Sequence, residues 1–173
     1  MFDIKSLTID LKGLKQDDSN LVFNLDDAYF TAVDGSEVRS GRVNLALDIH
    51  KSVSFYELNF HCEGTVMVPC DLCLEDMEQP ISTDNKLIVK LGEEYSEDDD
   101  IITVEKDNAL LDISWLVYEF IALGVPIKHV HAPGKCNPAM IKALNEHSAA
   151  RSSDGAQTQT TDPRWSALEK LKE

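Results

Sequence analysis

Positive charge is scarce in this sequence. Sixteen lysines and arginines stand against thirty-one aspartates and glutamates, a formal net charge of -15 over 173 residues. Gripping a nucleic-acid backbone takes clustered lysine and arginine to displace counterions. No window here supplies such a cluster, which argues against strong direct binding to phosphates. An acidic surface instead attracts basic partners. Long apolar runs are also missing. The longest, around Trp115 to Val125, contains Glu119 and is too short to cross a bilayer. Met1-Phe2-Asp3-Ile4-Lys5 has neither the charged start nor the apolar core of a signal peptide. No membrane association is therefore expected, and the cytoplasm is the expected location. Cysteines number only four; without a secretion signal they suggest reduced thiols or a metal site rather than a disulfide framework.

Catalytic signatures are absent too. The chain has no G-x-S-x-G, no Walker loop, no G-x-G-x-x-G and no H-E-x-x-H. Its five histidines are scattered, and no acid–base pair shares an evident cleft. The expectation is a protein that is not an enzyme, with no small-molecule substrate evident.

The first half alternates at the period of half-buried strands. Leu7, Ile9 and Leu11 form one set, and Leu21, Phe23 and Leu25 another. Val43, Leu45, Leu47 and Ile49 share one face. Tyr56, Leu58, Phe60, Cys62, Val66 and Val68 keep even parity up to Cys70, with Gly64 expected as a bulge or bend. Glu75 to Asp84 reads as a polar connection before another strand through Leu87, Val89 and Leu91. Asp112 is placed to cap an apolar helix ending at Gly124 before Pro126, with Trp115, Tyr118 and Phe120 expected in the core. Met140, Ile141 and Leu144 suggest a weaker amphipathic helix. The expected class is α+β: an antiparallel sandwich or partial barrel in the first two thirds, then a buried helix and short C-terminal helices. Residues 1–147 form the expected domain. Residues 148–161, rich in Ser, Thr, Gln and Ala, read as a flexible linker. In residues 162–173, Asp162 and Pro163 open a helix whose stripe is Trp165, Leu168 and Leu171.

The chain reads as organised around Val68-Pro69-Cys70-Asp71-Leu72-Cys73-Leu74-Glu75. Two cysteines three positions apart can converge on a metal ion or a redox disulfide. Cys136 with His131 would complete a tetrahedral zinc set, and His129 competes for the fourth place. The cofactor expected is none, or one structural zinc. Without metal, Cys70 and Cys73 would pack as small hydrophobes. A redox role is weaker: such pairs usually open a helix, and here the flanks read as strand and loop. Glu93, Glu94, Glu97, Asp98, Asp99 and Asp100 put six carboxylates in eight residues, either a solvated loop or a docking patch for a basic partner.

In order, a β-rich half, the Val-x-Cys-x-x-Cys-Leu-Glu segment, an Asp-capped helix ending before proline and a terminal Asp-Pro-Arg resemble the YceD-like family of large ribosomal RNA subunit accumulation proteins. The match is best over Gly64 to Glu75, Leu111 to Pro126, and Asp162 to Leu171. The resemblance implies a role in synthesis, processing or accumulation of large-subunit ribosomal RNA, in a family not established as enzymes. Its signature positions here are Cys70, Cys73, Cys136, Asp162, Pro163 and Arg164. Many members carry more C-terminal cysteines; here that region keeps only Cys136. Resemblance and charge together imply indirect action, with the acidic surface holding a basic ribosomal protein or assembly factor. Asp162, Arg164, Trp165 and Leu168 of the terminal segment would contribute. The alternatives are a zinc-stabilised structural or RNA-contacting module and, behind it, a thiol redox protein.

Overall fold

Alternation in the sequence becomes one large sheet. The computed structural model describes residues 7–14, 17–98 and 101–147. Eight strands and three helices follow in the order β1 (Thr8–Asp10), β2 (Asp18–Leu25), α1 (Asp27–Val33), β3 (Ser40–Lys51), β4 (Tyr56–Pro69), β5 (Asp76–Gly92), β6 (Ser96–Asp98), β7 (Ile101–Glu105), β8 (Leu110–Asp112), α2 (Ser114–Leu123) and α3 (Pro138–His147). Six strands pair in the order β2-β3-β4-β5-β7-β6, and β1 pairs with β8 in a separate ribbon. All pairings in the large sheet are antiparallel except β5 with β7. The fold is mixed α and β, as expected, and the sheet stays open rather than closing into a barrel.

One face of the sheet carries the core. Leu45 lies opposite Cys62, Leu47 opposite Phe60, and Ile49 opposite Leu58. All six are buried. Tyr29 and Phe30 of α1 and Val117, Tyr118 and Ile121 of α2 belong to the same core. Two tyrosine hydroxyls tie these layers. Tyr29 donates to the Ser114 carbonyl at 2.8 Å, and the Tyr118 oxygen accepts the Glu37 and Val38 amides at 2.9 and 3.0 Å. Burying a phenol costs little when its oxygen is bonded in this way. The opposite face is polar, with Asp48, His50, His61, Glu63, Asp84 and Lys86 exposed on it.

Three expectations change, and one element was not expected. Gly64 makes no bulge: the β3–β4 ladder runs unbroken through Val43 opposite Gly64. The glycine is needed for close approach, since a Cβ there would lie 2.2 Å from the Arg42 carbonyl oxygen. Glu75 to Asp84 is largely strand, because β5 pairs with β4 from Asp76 onward, and its polar residues simply face solvent. Trp115 is not core. It is 52% exposed, stacks on Tyr118 with centroids 5.3 Å apart, and donates its indole N–H to Glu119. Finally, α1 falls where the sequence shows only seven helical residues behind the Asp26 cap. Asp112 does bond the Ser114 amide at 2.9 Å, and the Gly124 amide closes α2 on the Phe120 and Ile121 carbonyls. Residues 148–161 and 162–173 lie outside the described residues.

Two predictions follow from this packing. Gly64→Ala should destabilise the protein by about 2 to 3 kcal/mol, because rigid backbone meets the new methyl; a denaturant midpoint unchanged from wild type would refute the close-approach account. Asp18 beside His50, and Asp84 beside His61, hold both imidazolium pKa values above the usual histidine value. Any stability they add is present below pH ~6.5 and is lost as pH rises through the raised values. Histidine resonances titrating at an ordinary pH in the wild type would contradict these pairs.

Candidate metal centre

The cysteine turn is the hairpin between β4 and β5. The last paired residues are Pro69 and Asp76, so the two longest of the described strands aim it. The Cys70 amide donates to the Glu75 carbonyl at 2.9 Å and the Leu74 amide to the Cys70 carbonyl at 2.9 Å. Leu74 sits in the left-handed region with φ 61°, which lets the chain fold back within so few residues. The Leu72 amide approaches the Cys70 sulfur at 3.5 Å. Amides aimed at sulfur favour the thiolate, the form that binds metal.

The second half of the site comes from the loop after α2. Pro133 and Gly134 make a tight turn there. The Lys135 amide donates to the Ala132 carbonyl at 2.9 Å, and Gly134 takes φ 78°, a conformation open to glycine. That turn brings His131 and Cys136 side by side and faces them toward the hairpin.

Cys70, Cys73, His131 and Cys136 meet there, with one ligand atom from each residue within 4.8 Å of all the others. The Cys70 and Cys136 sulfurs are 3.8 Å apart, and His131 Nδ1 lies 3.3 Å from the Cys73 sulfur and 3.9 Å from that of Cys136. A zinc tetrahedron with Zn–S near 2.3 Å and Zn–N near 2.0 Å places sulfurs about 3.8 Å apart and sulfur and nitrogen about 3.5 Å apart. The observed spacings bracket those values, so the four residues fit a zinc ion. Three sulfurs and one imidazole also suit zinc's borderline-soft character.

Electrostatics point the same way. Desolvation opposes ionisation of Cys70. The amides of Cys73, His131 and Leu72 and the His131 ring outweigh it and bring this thiol down to about 5. Desolvation, then the neighbouring Cys70 and Cys73 sulfurs, push Cys136 up to about 11. Cys70 and Cys136 are thus pushed in opposite directions, and a dication between them would favour both thiolates.

His129 is not in the cluster. Its ring Nδ1 lies 2.9 Å from the Pro126 carbonyl oxygen and its Nε2 lies 3.6 Å from an Asp71 oxygen. Cys62 stands apart in β4, where burial pushes its thiol up to about 11. Glu93, Glu94, Glu97 and Asp98 are exposed, the last two within edge strand β6 rather than a structureless loop. Asp99, Asp100, Asp162, Arg164, Trp165 and Leu168 lie outside the described residues. The spacing of ligands alone missed Asp71 and Glu75, whose contacts with the second loop appear only in three dimensions.

The family model described as Large ribosomal RNA subunit accumulation protein YceD matches residues 58–172. The chain belongs to the YceD family. The matched stretch begins in β4 and contains all four clustered residues, so both halves of the site fall inside the family unit. Among curated proteins and solved structures, nothing matches the chain. The family's name connects this YceD protein with large-subunit ribosomal RNA accumulation. No described helix is long and apolar enough to cross a membrane.

The two loop histidines separate experimentally. For a zinc-loaded centre, His131→Ala should remove the metal, whereas His129→Ala should retain it, because the contact of His129 with Asp71 runs mainly through its backbone. Zinc loss confined to His129→Ala, measured by elemental analysis, would reverse the assignment.

Proposed function

We propose that this YceD protein is a non-catalytic factor in large-subunit ribosomal RNA accumulation, held in its working shape by one structural zinc. The observation that carries the metal reading is the convergence of Cys70, Cys73, His131 and Cys136. Four protein ligands complete a zinc tetrahedron and leave no open position for substrate or water, which is the pattern of structural rather than catalytic zinc. Cys70 directly follows β4 and the chain then turns back, so no helix start activates it as in redox Cys-x-x-Cys pairs.

What the zinc would hold is the C-terminal part of the described chain. Helix α3 buries no residue, so little apolar packing holds it to the sheet. The sheet and its covering helices have an extensive core of their own. Metal loss should therefore free the loop and α3 while leaving the sheet folded, unlike small zinc fingers that unfold outright.

The partner we favour is a basic ribosomal protein or assembly factor, met before or on ribosomal RNA. A net charge of -15 disfavours direct grip on phosphates and favours lysine- and arginine-rich surfaces. The acidic run from Glu93 to Asp100 and the terminal Asp162, Arg164, Trp165 and Leu168 are the proposed contacts. Such work belongs in the cytoplasm.

The test follows tagged full-length protein, purified without chelator and then sedimented in lysate from its own cells. We expect one zinc per chain, migration with large-subunit precursors, and loss of that migration when the six carboxylates are neutralised. Hydrogen exchange after chelation should lose protection over residues 126–147 and keep it in β3 and β4. A protein without zinc sinks the metal reading, and one that stays at the top of the gradient sinks the ribosomal reading. Migration that survives neutralisation at moderate salt sinks the acidic contact.

A further inference from the structure

The four ligands are not the whole of the centre. Between Cys70 and Cys73 stands Asp71, whose amide donates to the His129 carbonyl at 3.0 Å and whose carboxylate accepts the His129 amide at 2.8 Å. Two residues joined in both directions act as a short bridge between hairpin and loop. On the far side, Glu75 accepts the Asn137 side-chain N–H at 2.7 Å. Asn137 in turn accepts the Ala139 amide at 2.9 Å and so caps α3. His131 and Cys136 lie between these two anchorages.

We propose that Asp71 and Glu75 are positioning residues that clasp the two ends of the ligand loop, from His129 to Asn137, onto the cysteine hairpin. They set metal affinity without touching the metal. The inference rests on the zinc reading above.

Geometry carries it. The oxygens of Asp71 are committed to His129 and the Glu75 carboxylate to Asn137, so neither competes as a ligand. Each clasp ends within two residues of a ligand on both of its partners, so a shift at the clasp moves a sulfur or the imidazole directly. With both clasps closed, the metal-free loop is biased toward its liganding shape, and binding orders less chain than it would from an untethered loop. Outer residues of this kind, which fix the orientation of ligands, typically change metal affinity 10- to 100-fold when removed.

The experiment measures zinc affinity of the full chain by competition with a chromophoric chelator. Asp71→Ala and Glu75→Ala should each weaken binding about 10- to 100-fold and speed release. The metal-free variants should keep the strand signal and thermal midpoint of the metal-free wild type. Asp71→Asn and Glu75→Gln keep an oxygen acceptor and drop the charge, and should stay within a few-fold of wild type. Should Asp71→Ala not fold, the two Glu75 variants decide. Unchanged affinity in the alanine variants overturns the clasp. Amide variants that fall as far as the alanines also overturn it, because charge alone would then explain the loss. A wild-type chain that binds no zinc removes the metal reading, and the clasp with it.

Discussion

The ladder between β4 and β5 is the constraint on which the rest depends. It runs without a break from Tyr56 opposite Val89 to Pro69 opposite Asp76. Because side chains alternate with period two, one uninterrupted register fixes every inward residue of both strands at once. It also fixes where the hairpin points. A slip of one residue would turn Cys62, Val66 and Val68 to solvent and carry Cys70 away from the loop that meets it. The candidate metal centre therefore inherits its geometry from hydrophobic burial far from it. Sites aimed by strands in this way are held more tightly than sites built on loops alone.

Only half of the centre has that support. Cys70 and Cys73 stand on the hairpin, whereas His131 and Cys136 stand on a loop between α2 and α3. The core holds α2 through Val117, Tyr118 and Ile121. Beyond Val125 the described chain contributes no residue to that core, and backbone and side-chain hydrogen bonds to the hairpin take over. An exposed hydrogen bond contributes on the order of 1 kcal/mol. A few such bonds can bias the loop toward one shape but cannot fix it as burial fixes the sheet. A metal joined to both halves would be strong enough to do so.

The strands and the site were legible in the sequence for the same reason. Alternating positions such as Leu45, Leu47 and Ile49 carry their burial in the chain itself, and a Cys-x-x-Cys turn carries its convergence. What was not legible depends on neighbours. The polar part of β5, with Glu78, Ser82 and Asp84, resembles a loop because only pairing with β4 makes it strand. Trp115 resembles core by composition; its place on the helix leaves it half in water, where stacking on Tyr118 and a bond to Glu119 suffice. Gly64 was singled out correctly but for the wrong reason. Sequence shows that a side chain is missing, not which backbone fills the space. By spacing, His131 stands first and His129 competes with it, and only the fold of the Pro133-Gly134 turn decides between them.

Charge links the centre to the larger role. In a chain of net charge -15, three thiols facing one another beside Asp71 and Glu75 make a poor place for further negative charge. A dication entering the proposed zinc site would stabilise the ionised cluster, so metal and fold would favour each other there. Elsewhere, among the described residues, the acidic surface is paired only in part. Among the described residues the open face of the sheet pairs several of its carboxylates with His50, His61 and Lys86, and leaves the Asp48 and Glu63 carboxylates without a cation as close as those pairs. A family tied by name to ribosomal RNA is expected to meet strongly basic proteins. On the function proposed above, an acidic surface would attract those proteins and act on assembly while remaining off the phosphate backbone, which reconciles the charge with the family.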